Sequence, residues 1–257
     1  MLELKNINKT FLPGSIDEKK LFNDFSLSIK KGDFVSVVGS NGSGKTTILN
    51  IISGDMPVDS GSVMFDGEDI TNVCNYHRAK KIARVFQDPS VGTCPTMTIY
   101  ENLSLADNKG KKYNLGKGLN VKRKEFYQTS LETLGMGLEN RLDSKAGVLS
   151  GGQRQALSLV MATMSSPDLL LLDEHTAALD PRSADIVMHL TDKIVKEKNL
   201  TAIMVTHNLR YAVDYGNRAI MLHDGNVILD VCGNEKTDKS IDDYLALFNS
   251  ISIECGN

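Results

Sequence analysis

The chain begins with segments in which apolar and polar residues alternate, a pattern typical of half-buried strands. Residues 2–9 and 25–29 carry this alternation, and residues 33–38 form an apolar run that predicts another strand. Residues 46–53 predict a helix that ends at Gly54, since glycine commonly terminates helices. The first part of the chain is therefore expected to form strands that lead into a helix.

The pattern changes to helical periodicity between residues 89 and 167, and strands separated by helices then return. Short apolar runs predict further strands at 61–65, 82–86, 169–172, 201–205, 218–222 and 227–231. Helices are predicted from Pro181 to about residue 198, at 209–215 and at 240–248. Because strands alternate with helices, the sequence predicts an α/β fold with a mainly parallel sheet and an inserted helical segment.

The composition excludes several classes of protein. The 257 residues are 41% hydrophobic with a net charge of -3, which gives no overall field that would favour nucleic acid as a partner. No apolar stretch approaches the roughly 20 residues that span a bilayer, so a transport role would require separate membrane subunits. The four cysteines are far apart and are interpreted as reduced thiols rather than as disulfides or a zinc site.

A glycine-rich segment between a predicted strand and a predicted helix is the first candidate for chemistry. Residues 39–47 read GSNGSGKTT and fit the phosphate-binding pattern G-x-x-x-x-G-K-[ST]. Backbone N–H groups would surround the phosphates of ATP, the lysine would contact the β- and γ-phosphates, and the threonine after it would bind Mg²⁺. The alternative is a glycine-rich turn without a ligand. The predicted nucleotide-binding residues are Gly39, Ser40, Asn41, Gly42, Ser43, Gly44, Lys45, Thr46 and Thr47.

Two acidic residues end a later apolar run, LLLLDE at residues 169–174. Alone, such a run could simply be a strand that meets a helix cap. After a phosphate-binding loop it predicts that Asp173 holds Mg²⁺ through water and that Glu174 is the general base for the attacking water. The two motifs together indicate a P-loop NTPase and leave kinases, GTPases and helicases open.

The pentapeptide LSGGQ at residues 149–153 narrows the family. Here the chain resembles the ABC (ATP-binding cassette) ATPases over nearly its whole length. A serine that caps a helix beside glycines is the plain alternative. The resemblance implies that this helix N-terminus faces the γ-phosphate bound by a second copy, through Ser150, Gly151, Gly152 and Gln153.

The resemblance also implies a fold and a domain organisation. We expect one nucleotide-binding domain over residues 1–257, with a RecA-like core, an antiparallel β-subdomain and an inserted α-helical subdomain. Residues 1–88 and 166–257 are assigned to the core with its β-subdomain. Residues 89–165 are assigned to the helical subdomain that carries the signature pentapeptide.

Further residues occupy positions that carry function in such proteins. The resemblance implies that Gln87 reaches the Mg²⁺ and water region, that Asp180 lies at the interface between two copies, and that His207 contacts the γ-phosphate. Phe11 takes the position of the aromatic residue that stacks on adenine, with ordinary core or edge packing as the alternative. His175 departs from the family pattern, which often has proline after the catalytic glutamate.

The family arrangement implies that one copy does not complete a reaction centre alone. Two chains related by a twofold axis would each cover the partner's phosphate loop with the signature helix. ATP would then hold the pair closed, and hydrolysis would loosen it. A switch that dimerises on ATP and rarely hydrolyses it is disfavoured, because Glu174 and His207 are both present.

The first functional hypothesis is an ATP-hydrolysing subunit on the cytoplasmic side of the membrane that powers transport through separate permease subunits. Resemblance favours an importer that works with an extracytoplasmic solute-binding protein and carries an amino acid or similar small solute. The second hypothesis is an ABC ATPase for assembly or regulation, such as one for iron–sulfur clusters. The solute, the direction of transport and the permease are not encoded in this chain. Whether the second cassette is identical is equally open.

A basic stretch at residues 109–124 holds seven lysines and arginines and no acidic residue. A solvated loop is the simple interpretation. Contact with anionic lipid headgroups is the alternative.

Overall fold

The predicted strands and helices occur in the predicted order, together with several short elements that the sequence pattern did not predict. This computed structural model describes residues 1–111, 118–119 and 121–254. The strands are β1 Leu2–Phe11, β2 Lys19–Ile29, β3 Phe34–Gly39, β4 Ser60–Phe65, β5 Glu68–Asp69, β6 Ile82–Val85, β7 Leu169–Asp173, β8 Thr201–Val205, β9 Arg218–His223 and β10 Asn226–Cys232. The helices are α1 Lys45–Ser53, α2 Asn75–Arg78, α3 Pro89–Gly92, α4 Ile99–Asp107, α5 Lys124–Glu132, α6 Gly151–Thr163, α7 Pro181–Glu197, α8 Leu209–Asp214, α9 Asn234–Thr237 and α10 Ile241–Glu254.

The chain divides into two compact units, Met1–Arg78 with Thr201–Asn257, and Ala79–Leu200. The first, called the loop unit because it holds the phosphate-binding loop, contains an antiparallel sheet in the order β2-β1-β4-β5. It also contains β3, paired in parallel with β8 on one side and with β9 on the other. β9 continues into β10 as an antiparallel hairpin. The mixed sheet agrees with the predicted α/β class.

The second unit, called the signature unit, holds the remaining strands and most of the helical segment. β6 and β7 pair in parallel, and every residue of β7 is buried. Helix α6 packs against α7, against α4 and against β6. The predicted helical stretch 89–165 lies within this unit, together with β6, β7 and α7.

One strand boundary differs from the sequence prediction by more than two residues. The second strand was expected at 25–29, whereas β2 begins at Lys19. The pairing of β1 with β2 shifts register between Ile7 and Lys9, and Asp24 has a left-handed φ of 53°. Such bulges interrupt the alternation of apolar and polar side chains, so the pattern fails to mark the first half of the strand.

The core of the loop unit includes a cluster under the C-terminal helix. Tyr244 of α10 is fully buried and belongs to a cluster with Val38 of β3, Met221 of β9 and Val231 of β10. The amphipathic pattern of the last helix is thus explained by packing on these strands. In the described parts of the chain, no helix is long and apolar enough to span a bilayer.

Part of the basic stretch is described. Residues 112–117 and 120 lie outside the described residues. Buried Asp107 at the end of α4 forms ion pairs with Arg123, at 2.6 Å, and with Lys111, at 3.4 Å. The Tyr127 hydroxyl donates a hydrogen bond to the same carboxylate at 3.0 Å. Two of the basic side chains in the stretch therefore neutralise a buried acid.

Candidate active site

The phosphate-binding loop of the loop unit runs from the end of β3 into α1, as the sequence predicts. Gly44 caps α1 with a left-handed φ of 105°, and the Phe22 ring of β2 lies directly beneath it. A Cβ atom at Gly44 would lie 2.7 Å from Cζ of Phe22. The loop therefore needs glycine here both for its backbone conformation and for close packing on β2.

Lys45 is directed into its own loop. Its side chain is buried, and its ammonium donates hydrogen bonds to the carbonyl of Gly39 at 2.9 Å and to that of Ser40 at 2.8 Å. The Ser43 carbonyl accepts a hydrogen bond from Gly225 in the β9–β10 turn. A positive charge is thus held against a ring of backbone groups, an arrangement suited to an anionic phosphate chain.

His207 lies at the same sheet edge as the start of the loop. β3 and β8 are parallel with Val37 opposite Val205, and the Thr206 amide donates to the Val37 carbonyl at 3.1 Å. His207 follows directly and is exposed. Phe11 ends β1, is partly buried and pairs with Lys19 across the β1–β2 ladder.

In the signature unit, the two acidic residues come at the end of a buried strand. Asp173 is the last residue of β7, and Val85 of β6 pairs with Leu172 beside it. Gln87 follows β6, so it leaves the same edge of this strand pair as Asp173 and Glu174. Glu174 has a left-handed φ of 44°, which is uncommon for a residue with a side chain and clusters at functional sites.

The Asp173 carboxylate has a partner that sequence reasoning missed. Arg84 of β6 places its Nη2 2.6 Å from Oδ2 of Asp173, and both side chains are about nine-tenths buried. The guanidinium also lies 4.9 Å from the centre of the Phe86 ring. The ion pair compensates the charge of the predicted metal-binding carboxylate. The signal available in the sequence was an arginine inside an otherwise apolar strand.

The signature pentapeptide forms a capping box at the start of α6. The Ser150 hydroxyl accepts from the Gln153 amide at 3.3 Å, and the Gln153 side-chain oxygen accepts from the Ser150 amide at 3.2 Å. These reciprocal bonds fix the helix N-terminus, and the backbone amides of Gly151 and Gly152 lie in its first turn. The arrangement can bind an anion through backbone N–H groups and the helix dipole.

Gln155, one turn further along α6, is a second residue whose role the sequence did not reveal. It is fully buried, and its side-chain amide donates to the Phe86 carbonyl at 3.0 Å. Phe86 immediately precedes Gln87. The signature helix is therefore tied by a buried hydrogen bond to the segment that carries the predicted Mg²⁺-contacting glutamine.

Asp180 caps helix α7. Its carboxylate accepts from the Ser183 amide at 3.1 Å. Hydrogen bonds from Ser183 hold the pKa of Asp180 below its usual value. Asp180 is exposed, which leaves it accessible to a partner surface.

His175, the departure from the family pattern, is buried and forms a hydrogen bond with Thr191 of α7. The distance from Nε2 to the Thr191 hydroxyl is 3.1 Å, and that hydroxyl donates to the Val187 carbonyl at 2.8 Å. The hydroxyl hydrogen is thus already used, so His175 serves as the donor with Nε2 protonated. Burial lowers the pKa of His175 to about 4, so the ring is neutral at physiological pH.

We expect the buried ring to make the protein sensitive to acid. Between about pH 6.5 and pH 4 the unfolded chain takes up a proton at His175 that the folded chain does not. The free energy of unfolding therefore falls as the pH falls, by about 3 kcal/mol across the window. Denaturant unfolding of wild type and His175→Gln at about pH 7 and pH 5 should detect about 2 kcal/mol of this loss in wild type. The loss should shrink in His175→Gln and persist in His189→Gln, which changes an exposed histidine of α7. Equal losses in all three proteins would contradict the prediction.

The described residues contain no group of three or more His, Cys, Asp or Glu side chains that could hold a metal ion by themselves. Proteins commonly hold Mg²⁺ with one or two oxygen ligands, while substrate phosphates and water supply the rest. The Thr46 hydroxyl and the Asp173 carboxylate are oxygen donors of the kind that Mg²⁺ prefers.

Comparison with known proteins assigns the family. Residues 22–177 match the protein family described as ABC transporter. The chain is 51% identical to the tyrosine transport ATP-binding protein of Clostridioides difficile over 96% of this chain and 98% of that protein. The chain is also 34% identical to the spermidine/putrescine import ATP-binding protein PotA of Haemophilus influenzae. That alignment covers 96% of this chain and 62% of PotA. A dimeric, post-hydrolysis structure of the ATP-binding cassette MJ0796 bound to ADP and Pi matches with a TM-score of 0.76. The two chains are 31% identical, and the structural match covers 90% of this chain and 98% of the MJ0796 chain. The chain therefore belongs to the ABC transporter family, as one of its ATP-binding proteins with ATPase activity.

Proposed function

We propose that this ATPase powers the import of an amino acid or similar small solute through separate permease subunits, with an extracytoplasmic solute-binding protein in the same system. The high identity to a tyrosine transport ATP-binding protein over nearly the full length of both chains supports an amino acid as the solute class. The protein would lie peripherally on the cytoplasmic side of the membrane.

For hydrolysis, we assign the chemistry to the residues that the motifs single out. Glu174 is the general base that takes a proton from the attacking water, and His207 contacts the γ-phosphate. Lys45 and the loop amides bind the phosphates, and Phe11 stacks on adenine. When bound, Mg²⁺ neutralises charge that develops on the phosphates, and the residues assigned to hold it are Thr46, Gln87 and Asp173.

Two copies of the cassette would share each nucleotide. The capping box leaves the first-turn amides of α6 available to an anion, and Asp180 is exposed at the start of α7. The dimeric MJ0796 cassette, bound to ADP and Pi, supports a paired arrangement for a chain of this fold. ATP would favour the closed pair because only that state contacts the γ-phosphate from both copies.

A groove in the signature unit carries the permease proposal. It has a volume of about 330 Å³ and lies beside the end of β6, close in sequence to Gln87. Its lining includes Arg84, Phe86, Leu105, Lys109, Ser158 and Met161. Leu105 is 54% exposed although it lies on α4, whose other apolar side chains are buried or partly buried. An apolar floor with a basic rim is suited to a short amphipathic segment of a membrane subunit.

Lys109 strengthens this interpretation. Burial lowers the pKa of its ammonium. A partly desolvated cation at the rim of an apolar groove attracts an acidic or carbonyl-rich partner more strongly than a fully hydrated one. The groove is therefore suited to a partner segment with apolar residues and a negative or polar end.

The test is a membrane-binding experiment with a single charged substitution in the groove. We expect Leu105→Asp to weaken binding at least tenfold to inverted membrane vesicles from source cells that lack this chain, while ATP hydrolysis without membranes changes less than twofold. Leu245→Asp is the matched control, since Leu245 is 41% exposed and lies on α10 in the loop unit. Co-sedimentation and phosphate release measure the two properties. Failure of wild type to bind the vesicles would favour an assembly or regulatory ATPase instead.

A further inference from the structure

A lysine outside the phosphate-binding motif reaches the phosphate loop. Lys19, the first residue of β2, places its Nζ 3.6 Å from the position that a Cβ atom would occupy on Gly42. Gly42 lies in the loop with a left-handed φ of 78°. A second ammonium thus lies at the loop, in addition to that of Lys45.

The position of Lys19 follows from how β2 supports the loop. Phe22 lies under Gly44, and Leu21 contacts both Gly44 and the turn at Gly225. Gly225 in turn donates a hydrogen bond to the Ser43 carbonyl. The first residues of β2 are therefore packed against the loop, and this packing fixes the strand end from which the Lys19 side chain extends.

Lys19 also shares a sheet face with the predicted adenine contact. It pairs directly with Phe11 across the antiparallel β1–β2 ladder. Directly opposed residues in such a ladder have neighbouring side chains on one face of the sheet. Lys19 thus reaches the phosphate loop from a position directly opposite Phe11 in the ladder, and a nucleotide that stacks on Phe11 would carry its phosphates towards the loop.

Its electrostatic setting favours an anionic ligand. Nearby lysines of β1 have acidic partners, since Lys5 pairs with Glu3 and Lys9 with Asp59. Within the parts of the chain that the structure describes, Lys19 forms no ion pair. The Lys19 ammonium thus lies beside the loop and the second lysine without an acidic partner on the protein. The phosphates of a nucleotide would supply that negative charge.

We propose that Lys19 is a nucleotide-binding residue that contacts the polyphosphate of ATP and ADP from outside the phosphate-binding motif. The proposal rests on the nucleotide site assigned above and adds a charged contact to it. Lys19 binds substrate and product alike, because it contributes charge rather than a contact confined to the γ-phosphate. Its contribution decreases with added salt, since Lys19 is exposed and its charge is screened.

The test compares three variants by calorimetric titration with ATP, ADP and adenosine. Lys19→Met removes the charge and keeps the length of the side chain, and Lys19→Arg restores a cation. Lys20→Met is the matched control, because Lys20 is the next residue of the same strand, is also exposed, and has its side chain on the opposite face. The thermal midpoint without nucleotide should be the same for all of them.

We expect Lys19→Met to raise the Kd for ATP and for ADP about five- to tenfold at low salt and to leave adenosine unchanged. Lys19→Arg should recover most of the affinity, Lys20→Met should match wild type, and about 0.5 M KCl should reduce the difference. Unchanged ATP and ADP affinity in Lys19→Met, or the same loss in Lys20→Met, would overturn the inference while the nucleotide site stands. If wild type itself bound neither nucleotide, the assigned nucleotide site would fall and this inference with it.

Discussion

Replacing Glu174 with glutamine is expected to abolish ATP turnover and to leave ATP binding intact. Glutamine has the shape of glutamate and can keep the left-handed backbone at this position, but it cannot accept a proton from the attacking water. Loss of a general base typically costs about a hundredfold or more in rate. The phosphate-binding loop lies in the other unit of the chain, so its predicted contacts to the nucleotide do not depend on the Glu174 side chain.

The same substitution should trap the closed pair of cassettes. ATP that is bound and not hydrolysed continues to favour the state with contacts from both copies, so a dimer should accumulate with ATP and Mg²⁺ and not with ADP. Phosphate release measures turnover, and size-exclusion chromatography with light scattering measures the dimer. Glu197→Gln, which changes an exposed glutamate near the end of α7, should behave like wild type in both. Turnover by Glu174→Gln at the wild-type rate would show that another group is the base.

The second large effect is expected at Gly152 of the signature pentapeptide. A Cβ atom at this position would lie 2.9 Å from Cβ and 3.1 Å from Oγ of Ser183, in the first turn of α7. Gly152→Ala must therefore move the start of α6 away from α7, and such overpacking costs about 1–3 kcal/mol. Because the start of α6 is the predicted γ-phosphate contact, we expect ATP hydrolysis to fall about tenfold or more. The affinity of the protein for nucleotide should change little, because the phosphate-binding loop lies in the other unit of the chain.

A second-site change separates crowding from any chemical role of the glycine. Ser183→Gly removes both crowded atoms and keeps the backbone amide that Asp180 accepts from, and the next nearest atom, Cα of residue 183, lies 3.9 Å away. The double variant Gly152→Ala with Ser183→Gly should recover most of the lost activity, and Ser183→Gly alone should remain close to wild type. Steady-state hydrolysis of the four proteins forms a double-mutant cycle. Failure of the double variant to recover would mean that the alanine methyl acts on a partner copy rather than on α7.

The sequence predicted the element order well and the edges of some elements poorly. The helix at 46–53 and its glycine terminus were correct to one residue, because a strand, a glycine-rich loop and a helix follow each other locally and each leaves its own pattern. β2 was predicted several residues too short. Its first half pairs with β1 around a bulge, and the long-range partner rather than the local alternation keeps it in the sheet.

The sequence by itself determined the family motifs and so the candidate residues for the chemistry, because each motif is a short segment that its own spacing identifies. Lys45, Asp173 and Glu174 could be assigned in this way. Their predicted roles stay predictions until the variants are measured.

Only the tertiary structure decided what surrounds these residues. The ion pair of Arg84 with Asp173 and the approach of Lys19 to Gly42 join positions that are separated in sequence and brought together by strand pairing and packing. Such contacts produce no local sequence pattern, because the two partners are far apart along the chain and meet only when it folds. The motifs thus predict the reaction and its candidate residues, and the long-range contacts of the folded chain set the charge and position of those residues.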